Sequence, residues 1–451
     1  MIVLTFSQHI RKNFRLALPV AFGQVGQICI NLGDNIMVGS LGDVALAAVS
    51  LAGAVFFVIM VFGWGMASAL SPLAAEFNAR EDYRNGMMIL YHGLVINFLL
   101  SVLMYLLVLV FILTLPYLGQ PQDVVLLAIP FLNIISLSLI PWLLFEGLRK
   151  FAEGLSLTVP GMIVTWVGVV FNIAFNYGLI YGKYSLPELG ILGAAYATLI
   201  ARSTMLIGLC LLLYRNATIH KYFQYFEYKK FYSFFFKKIL YLGTPAGLQM
   251  LFEVGAFSVA SFIAGLSGSE QLAAHQIAVS LASITYMLGV GFAVAATVRI
   301  GNQRALENYS ELRRAGWSVI LMSAVFMFFC ALVFIIWRHD LPLIYLNDEQ
   351  VVVIAAQLLI VAALFQLSDG IQSVALGALR GMYDVKRPMW ISFFSYWVVA
   401  VPLGWFCAVP MEMNALGIWI GLGLGLTISA VLLLLRYNGQ TLRFVKSRSS
   451  E

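Results

Sequence analysis

The sequence predicts an all-α integral membrane protein with twelve transmembrane helices in two homologous six-helix bundles. Three observations support this prediction: the composition, the number of long apolar segments, and an internal repeat. Of the 451 residues 61% are hydrophobic and only 11% are charged, whereas soluble domains carry about 25% charged residues. Water is therefore not the main solvent of this chain.

Twelve apolar segments are each long enough to cross the hydrocarbon core of a bilayer, which takes about 20 helical residues. They are interrupted by short polar connections that hold most of the charge. In chain order the predicted spans are 14–38, 48–75, 88–113, 124–148, 159–181, 190–214, 239–264, 272–298, 316–337, 351–379, 389–410 and 415–435.

The basic residues support this count independently, because cytoplasmic connections of membrane proteins are enriched in Lys and Arg. With the N-terminus inside, 24 of the 27 Lys and Arg residues fall on the inner side. Lys183 and Arg338 fall outside, and Arg202 lies within a span. Both termini are thus predicted to be cytoplasmic, and the net charge of +6 needs no nucleic-acid partner to explain it.

An internal repeat appears when the second half of the sequence is laid on the first without gaps. Pro19 in LPVAFGQ then falls on Pro245 in TPAGLQM, and LAAVS at 46–50 falls on LAAHQ at 272–276. The repeat predicts a first bundle at 1–214, a cytoplasmic linker at 215–238 and a second bundle at 239–451. An offset of six spans keeps both bundles in one orientation, as in transporters whose two halves rock about a central site. The two prolines are the predicted hinges.

Three isolated acids lie inside the predicted spans: Asp34, Glu253 and Asp369. A charge at the centre of a bilayer costs roughly 2.5 to 3.5 kcal/mol on insertion scales, so such residues usually mark a transport pathway. Arg202 is expected to pair with an acid or to reach towards the membrane surface. His275 is expected to pack or cap, and Glu146 to pair with Lys150 one turn later.

Helical periodicity places further polar groups on the same faces as these acids. The first span carries a polar stripe that ends at Asp34, and the fifth carries one that is predicted to face it. The C-terminal half shows shorter polar patches on spans seven and ten. The stripes are Gln24, Gln27, Asn31 and Asp34; Thr165, Gly168, Asn172 and Asn176; Gln249 and Glu253; and Gln366, Asp369 and Ser373. The glutamines and Asn31 are candidate substrate contacts.

The whole chain resembles the multidrug and toxic compound extrusion (MATE) transporters, and among them the bacterial NorM-like branch. The order and spacing of several segments together carry the resemblance. These segments are LALPVAFGQ, DNIMVGSLGDVALAAVS, FAEGLSLTVP, FNIAFNYGLIYGK, PELGILGAAYAT, GTPAGLQMLFEVGAF, LAAHQIA and SDGIQSVALGALRG. The resemblance implies the MATE fold, a V-shaped central cleft, and export of organic cations driven by Na⁺ or H⁺.

The resemblance also implies roles for individual residues. Asp34 matches the N-terminal acid of the family, with Asn172, Asn176 and Thr198 as its neighbours. Glu253 and Asp369 match the C-terminal acid pair that binds the coupling cation, a Na⁺ site in NorM-like members. Some relatives have Tyr where this chain has Phe365, which removes one oxygen ligand.

The residues alone leave the coupling ion open. A carboxylate in a partly dry cavity can bind and release a proton at cellular pH, while two carboxylates with amide and hydroxyl oxygens suit a hard cation such as Na⁺. Apart from that ion no cofactor is expected. Cys29, Cys210, Cys330 and Cys407 lie in spans without metal-ligand spacing, so packing roles are expected for them.

Three function classes compete: a secondary active multidrug exporter, a lipid-linked saccharide flippase of the related superfamily, and an intramembrane enzyme. A flippase would place several basic residues inside the spans, and Arg202 is the only basic residue well within a predicted span. An enzyme would need a catalytic signature such as HExxH or GxSxG, and the sequence has none. The expectation is therefore a monomeric multi-pass drug exporter of the bacterial cytoplasmic (inner) membrane, with lipophilic or cationic drugs and membrane lipid as partners.

Overall fold

The computed structural model describes residues 5–117, 119–226 and 232–449, and this part of the chain is helical without any β-strand. Twelve of its helices are long and apolar enough to cross a membrane, as predicted. We name them α1 to α12: Phe6–Gly39, Asp43–Ala79, Tyr83–Tyr117, Gln122–Gly154, Val159–Tyr181, Ile191–Tyr214, Ser233–Leu266, Ser269–Ala305, Tyr309–Ile336, Glu349–Gly381, Lys386–Ala408 and Asn414–Lys446.

Several of the twelve helices are locally irregular. In α2 a turn at Ser68 separates Asp43–Ala67 from Leu70–Ala79, and in α4 Ser138 separates Gln122–Leu137 from Leu139–Gly154. A π-helical stretch, Phe394–Ala400, lies inside α11. Such wide turns often occur at functional sites because they displace side chains from the regular helical positions.

The chain forms two compact units that do not coincide with the predicted bundles. The first unit consists of the described residues within Phe22–Gly247, and the second unit joins the described residues up to Ala21 with those from Leu248 onward. The boundaries fall inside α1 and α7 rather than in the predicted linker 215–238. The repeat superposes the two boundaries on each other. Each boundary lies within one helical turn after a predicted hinge proline, Pro19 or Pro245.

The first part of α1 is held in the second unit by a buried polar network. Arg299 of α8 donates hydrogen bonds to the backbone oxygen of His9, at 3.2 Å, and to the side chain of Asn13. Asn13 donates in turn to Ser318 of α9 at 3.0 Å. Because these groups are buried, breaking the network would leave polar atoms without partners.

The first part of α7 is held in the first unit by an ion pair and by close backbone packing. The ammonium of Lys238 lies 3.2 Å from Glu76 Oε2 and 5.2 Å from the centre of the Phe77 ring. A Cβ atom placed at Gly65 of α2 would lie 2.5 Å from Cα of Gly247. Glycine at both positions therefore permits the two helices to touch along their backbones.

The repeat is also visible in backbone conformation. Glu81 and Glu307, which the repeat superposes, both adopt φ of 55° in the turns that end α2 and α8. Ser156 and Tyr383, at neighbouring positions of the superposed halves, both adopt φ of 65°. Residues with a side chain seldom take this left-handed conformation, so its recurrence at matched positions indicates two halves with the same local architecture.

The charged groups at the end of α4 are paired differently from the prediction. Glu146 accepts a hydrogen bond from Arg149 at 2.8 Å instead of pairing with Lys150, and Lys150 donates to Glu153 at 2.8 Å. All four side chains are buried. Within each pair the two opposite charges neutralise each other. The two basic residues therefore pack between helices instead of lying in a solvated connection.

Candidate functional site

Asp34 is the centre of a polar cluster formed by α1, α5 and α6. Its Oδ1 accepts hydrogen bonds from Asn172 Nδ2 at 3.0 Å and Asn176 Nδ2 at 2.6 Å, and its Oδ2 accepts from Thr198 Oγ1 at 2.9 Å. The two Asn residues and Thr198 are at most 1% exposed. We call these four residues the N-terminal site. The structure thus brings together all four residues that the resemblance grouped.

Small residues on α1 explain why this cluster can form. A Cβ atom at Gly26 would lie 2.9 Å from the Thr165 side chain, and one at Gly33 would lie 3.7 Å from Asn172 Oδ1. These glycines permit α1 to approach α5 closely. Asn172 and Asn176 are one helical turn apart, so both amides reach the same carboxylate.

The rest of the predicted α1 stripe does not join the N-terminal site through hydrogen bonds. Gln24 is buried, and within the described chain the amide nitrogens of Gln24 and Gln27 have no hydrogen-bond partner. Asn31 is exposed. Thr165 bonds to the Gly161 carbonyl of its own helix at 2.9 Å.

The donors around Asp34 are suited to a carboxylate rather than to a neutral carboxyl group. Asn172 and Asn176 each present an N–H group, which cannot accept a hydrogen bond from a protonated oxygen. Asn176 Oδ1 is buried and has no partner within the described residues. Rotation of that amide would supply an acceptor for a protonated Asp34, or an oxygen ligand for a cation. A change in ion occupancy would therefore rearrange this cluster.

Arg202 of α6 is held beside the N-terminal site. Its Nη1 donates to Ser138 Oγ at 2.8 Å, and its guanidinium lies 4.9 Å from the centre of the Phe56 ring. It interacts electrostatically with Asp34. Its hydrogen bond goes to Ser138 rather than to an acid, so the pairing of Arg202 with an acid stays a prediction.

Glu253 and Asp369 form a second polar cluster, in the unit that contains α8 to α12. Glu253 of α7 lies one helical turn after Gln249, and Arg380 of α10 and Tyr396 of α11 are close enough to interact with it electrostatically. Asp369, also on α10, interacts electrostatically with Glu253. We call Glu253 and Asp369 the C-terminal acid pair.

Amide and hydroxyl groups surround the C-terminal acid pair. Gln372 Nε2 donates to the Tyr396 hydroxyl at 2.7 Å, and Gln366 Nε2 donates to Thr285 Oγ1 at 2.7 Å. The side-chain oxygens of Gln366 and Gln372 are buried without a hydrogen-bond partner in the described chain. Tyr286 of α8 is close enough to interact with both acids. The cluster therefore offers oxygen ligands of the kind that Na⁺ prefers.

Close packing of α8 against α10 positions this cluster. Cβ atoms at Gly377 and Gly381 would meet the backbone of Ala293 and Thr297, and Thr297 Oγ1 donates to the Gly377 carbonyl at 2.8 Å. On α11, Trp397 Nε1 donates to the Phe252 carbonyl at 3.0 Å. This bond ties the π-helical stretch, and with it Tyr396, to α7.

Sequence reasoning missed three residues of this cluster. It counted Arg380 only among the basic residues of the inner side; Arg380 is the second-last residue of α10 and donates to Gln249 Oε1 at 2.6 Å. It singled out neither Tyr286 nor Tyr396. Asp369 and Arg380 lie about three helical turns apart and so share a helix face, a signal that was present in the sequence. Phe365, where some relatives have Tyr, stacks on Trp419 with ring centres 5.5 Å apart.

His275 has a structural role, as expected. Its ring nitrogens are hydrogen-bonded to Ser261 Oγ at 2.9 Å and to Trp419 Nε1 at 3.0 Å. Within the residues described, no three His, Cys, Asp or Glu side chains come together as metal ligands. A cation at either site would thus depend on amide, hydroxyl or backbone oxygens in addition to the acids.

Comparison with known proteins agrees with this architecture. The MatE family model matches the chain twice, at residues 19–178 and 245–406, and the two matches begin at the prolines that the repeat superposes. The chain is 34% identical over 437 residues to the probable multidrug resistance protein NorM of Rhizobium meliloti, covering 95% of this chain and 93% of that protein. It is 35% identical to a protein of the same name from Rhodopseudomonas palustris, with 94% and 91% covered.

Solved structures show the same fold at 20% sequence identity. A multidrug resistance MATE family transporter in an outward-facing conformation gives a TM-score of 0.88, with 99% of this chain and 100% of that chain covered. A transporter of the MOP superfamily from Pyrococcus furiosus, whose binding pocket is described as having reverse polarity, gives 0.87 with 98% and 99% covered. Because the family model matches both halves and the two NorM relatives align along nearly the whole chain, this protein belongs to the MatE family.

Proposed function

We propose that this chain is a secondary active multidrug exporter, a cation/drug antiporter that works by alternating access. It exports lipophilic or cationic small molecules and is driven by a Na⁺ or H⁺ gradient. The curated relatives named above are called multidrug resistance proteins. The shared fold alone would not establish this function, because one fold can serve several chemistries.

The observation that carries the proposal is the set of partners around Asp34. Its carboxylate lies inside a membrane span and is bonded by three uncharged donors. Such a group can exchange a proton or a cation without breaking an ion pair. If substrate binding changes the field at Asp34, drug occupancy and ion occupancy become linked by a coupling free energy of typically about 1 to 3 kcal/mol.

The C-terminal acid pair supports Na⁺ as a driving ion of the proposed transport. Two carboxylates, the hydroxyls of Tyr286 and Tyr396, and amide oxygens supply a hard-ligand set. We infer that Na⁺ supports transport through this pair and that a proton contributes at Asp34. The hydroxyls of the two tyrosines supply oxygen ligands instead of the hydroxyl that Phe365 lacks.

The proposed setting is the cytoplasmic (inner) membrane of a bacterium, with both termini inside and the protein acting as a monomer. The twelve apolar helices make the chain a multi-pass membrane protein. The proposal includes no catalytic reaction and no cofactor beyond the coupling ion.

Ethidium efflux from reconstituted vesicles tests the proposal. An inward Na⁺ gradient at equal pH and an inward proton gradient without Na⁺ are applied separately. Efflux under either gradient supports drug antiport, and its absence under both contradicts it. Activity only with the proton gradient would leave Asp34 as the coupling site and exclude Na⁺ as a driving ion. Movement of a fluorescent lipid-linked saccharide instead of ethidium would favour the flippase.

A further inference from the structure

Arg380 is a cation built into the surroundings of the C-terminal acid pair. Its Nη2 donates to Gln249 Oε1 at 2.6 Å, and Gln249, which is 3% exposed, lies one helical turn before Glu253 on α7. The guanidinium is thus bonded to a side chain that shares a helix face with the Glu253 carboxylate. Arg380 interacts electrostatically with Glu253 and with Tyr286.

The two charged groups of α10 next to Glu253 lie at different positions along the helix axis. Asp369 and Arg380 lie about three helical turns apart on one face, which at a pitch of 5.4 Å is about 16 Å. Glu253 interacts with both of them. The three groups therefore form one electrostatically coupled set, which we call the column.

The charge of this column is −1 when both acids are ionised. Two carboxylates contribute −2 and one guanidinium, which stays protonated in proteins, contributes +1. An isolated net charge in a low-dielectric interior is costly. One monovalent cation makes the column neutral, whereas a divalent cation leaves it at +1.

We propose that Arg380 is a positioning residue for ion coupling: it is the internal counter-ion of Glu253 and limits the C-terminal acid pair to one monovalent cation. This inference rests on the proposed function of that pair and adds the group that determines its charge. Arg380 itself holds Gln249 and Glu253 in place and binds neither ion nor drug.

Replacing Arg380 by an uncharged residue should change the affinities for Na⁺ and Ca²⁺ by different factors, which loss of packing alone would not do. Coulomb energies scale with the product of the charges. If Arg380→Gln raises Na⁺ affinity by some factor, the same field change raises Ca²⁺ affinity by the square of that factor. We expect about a threefold gain for Na⁺ and about a tenfold gain for Ca²⁺.

The experiment measures thermal unfolding of the full chain in detergent, followed by tryptophan fluorescence, while NaCl or CaCl₂ replaces choline chloride at constant ionic strength. A ligand that binds only the folded state raises its stability as binding increases. The ion concentration at half the maximal shift is compared for wild type, Arg380→Gln and Arg380→Lys. Arg380→Lys keeps the charge and should keep both wild-type midpoints.

Arg304→Gln is the matched control. Arg304 is also a partly buried arginine of this unit, but its guanidinium lies 4.0 Å from the centre of the Tyr383 ring. Its replacement should leave both midpoints unchanged. Unchanged midpoints in Arg380→Gln, or equal factors for the two ions, would overturn the proposal.

A charge-compensated variant covers the case in which Arg380→Gln does not fold. Arg380→Gln combined with Glu253→Gln restores a column charge of −1 but removes one of the two carboxylates, so its Na⁺ response should be weakened and it should show no gain for Ca²⁺; a Ca²⁺ gain would overturn the proposal. The proposed function is tested separately by Glu253→Gln with Asp369→Asn. If that variant keeps the wild-type Na⁺ response, the acid pair is not the ion site.

Discussion

Asn176 donates its side-chain amide to Asp34 Oδ1 at 2.6 Å, joining α5 to α1. The carbonyl oxygen of the same amide is buried and has no partner in the described chain. One end of this group therefore stabilises the ionised carboxylate, while its other end is available as an acceptor. This relationship makes Asn176 the residue best placed to respond when Asp34 gains a proton or a cation.

Asp34→Asn should abolish or severely reduce efflux while the protein still inserts and folds. The amide keeps the volume and part of the hydrogen bonding of the carboxylate, but it cannot bind and release a proton. Resistance of cells that express the variant at wild-type level is the measurement, with ethidium efflux as the direct assay. Normal resistance at equal expression would exclude Asp34 as a coupling residue.

Asn176→Ala should weaken transport more than Asn172→Ala does. Both remove a bond to Asp34 Oδ1, at 2.6 Å and 3.0 Å respectively, but only Asn176 also carries the unpartnered oxygen. Loss of one hydrogen bond to a charged group typically costs about 1.5 to 3 kcal/mol, so a tenfold or larger loss of drug efflux rate is expected for Asn176→Ala. Equal losses in the two variants would show that the free oxygen has no role.

The sequence was sufficient for the membrane spans and for the N-terminal site. Hydropathy and basic-residue placement predicted all twelve helices, because both are imposed by the bilayer along the chain itself. The predicted spans are shorter than the helices; for example, the predicted span 14–38 lies within the helix Phe6–Gly39. Charges end an apolar segment, but they do not end a helix that continues beyond the hydrocarbon.

Packing between distant segments could not be read from the sequence. The repeat identifies Pro19 with Pro245, but it does not reveal that the residues before Phe22 pack in the second unit. In EGLRKFAE at 146–153, spacings of three and four both permit ion pairs, and only the buried geometry pairs Glu146 with Arg149. The contact of Arg380 with Gln249 could not be predicted for the same reason, since a charge near a span end resembles a solvated one.

Glu253→Gln and Asp369→Asn should each weaken cation coupling, and the double variant should be little worse than either. Residues that share one ion fail additivity because removing the first already removes the site. Na⁺-driven efflux in vesicles is the measurement, with proton-driven efflux as the comparison in the same preparations. Two modest losses that sum in the double variant would show that the acids do not form one site.

Gly65→Ala and Gly291→Ala should each destabilise the protein, whereas Gly53→Ala should not. A Cβ atom at Gly65 would lie 2.5 Å from Cα of Gly247, and one at Gly291 would collide with the Ala17 carbonyl oxygen. Both contacts are with backbone, which cannot move aside as a flexible side chain can. Overpacking of this kind typically costs about 1 to 3 kcal/mol.

Gly53 is a matched control, because it lies in the same helix as Gly65 and a Cβ atom there meets nothing within 4 Å. Since Ala is more favourable than Gly in a helix by about 1 kcal/mol, Gly53→Ala should be neutral or stabilising. The midpoints of thermal unfolding in detergent compare the three variants. If Gly65→Ala and Gly291→Ala unfold at the wild-type temperature, the close backbone contacts that hold the first parts of α7 and α1 do not limit stability.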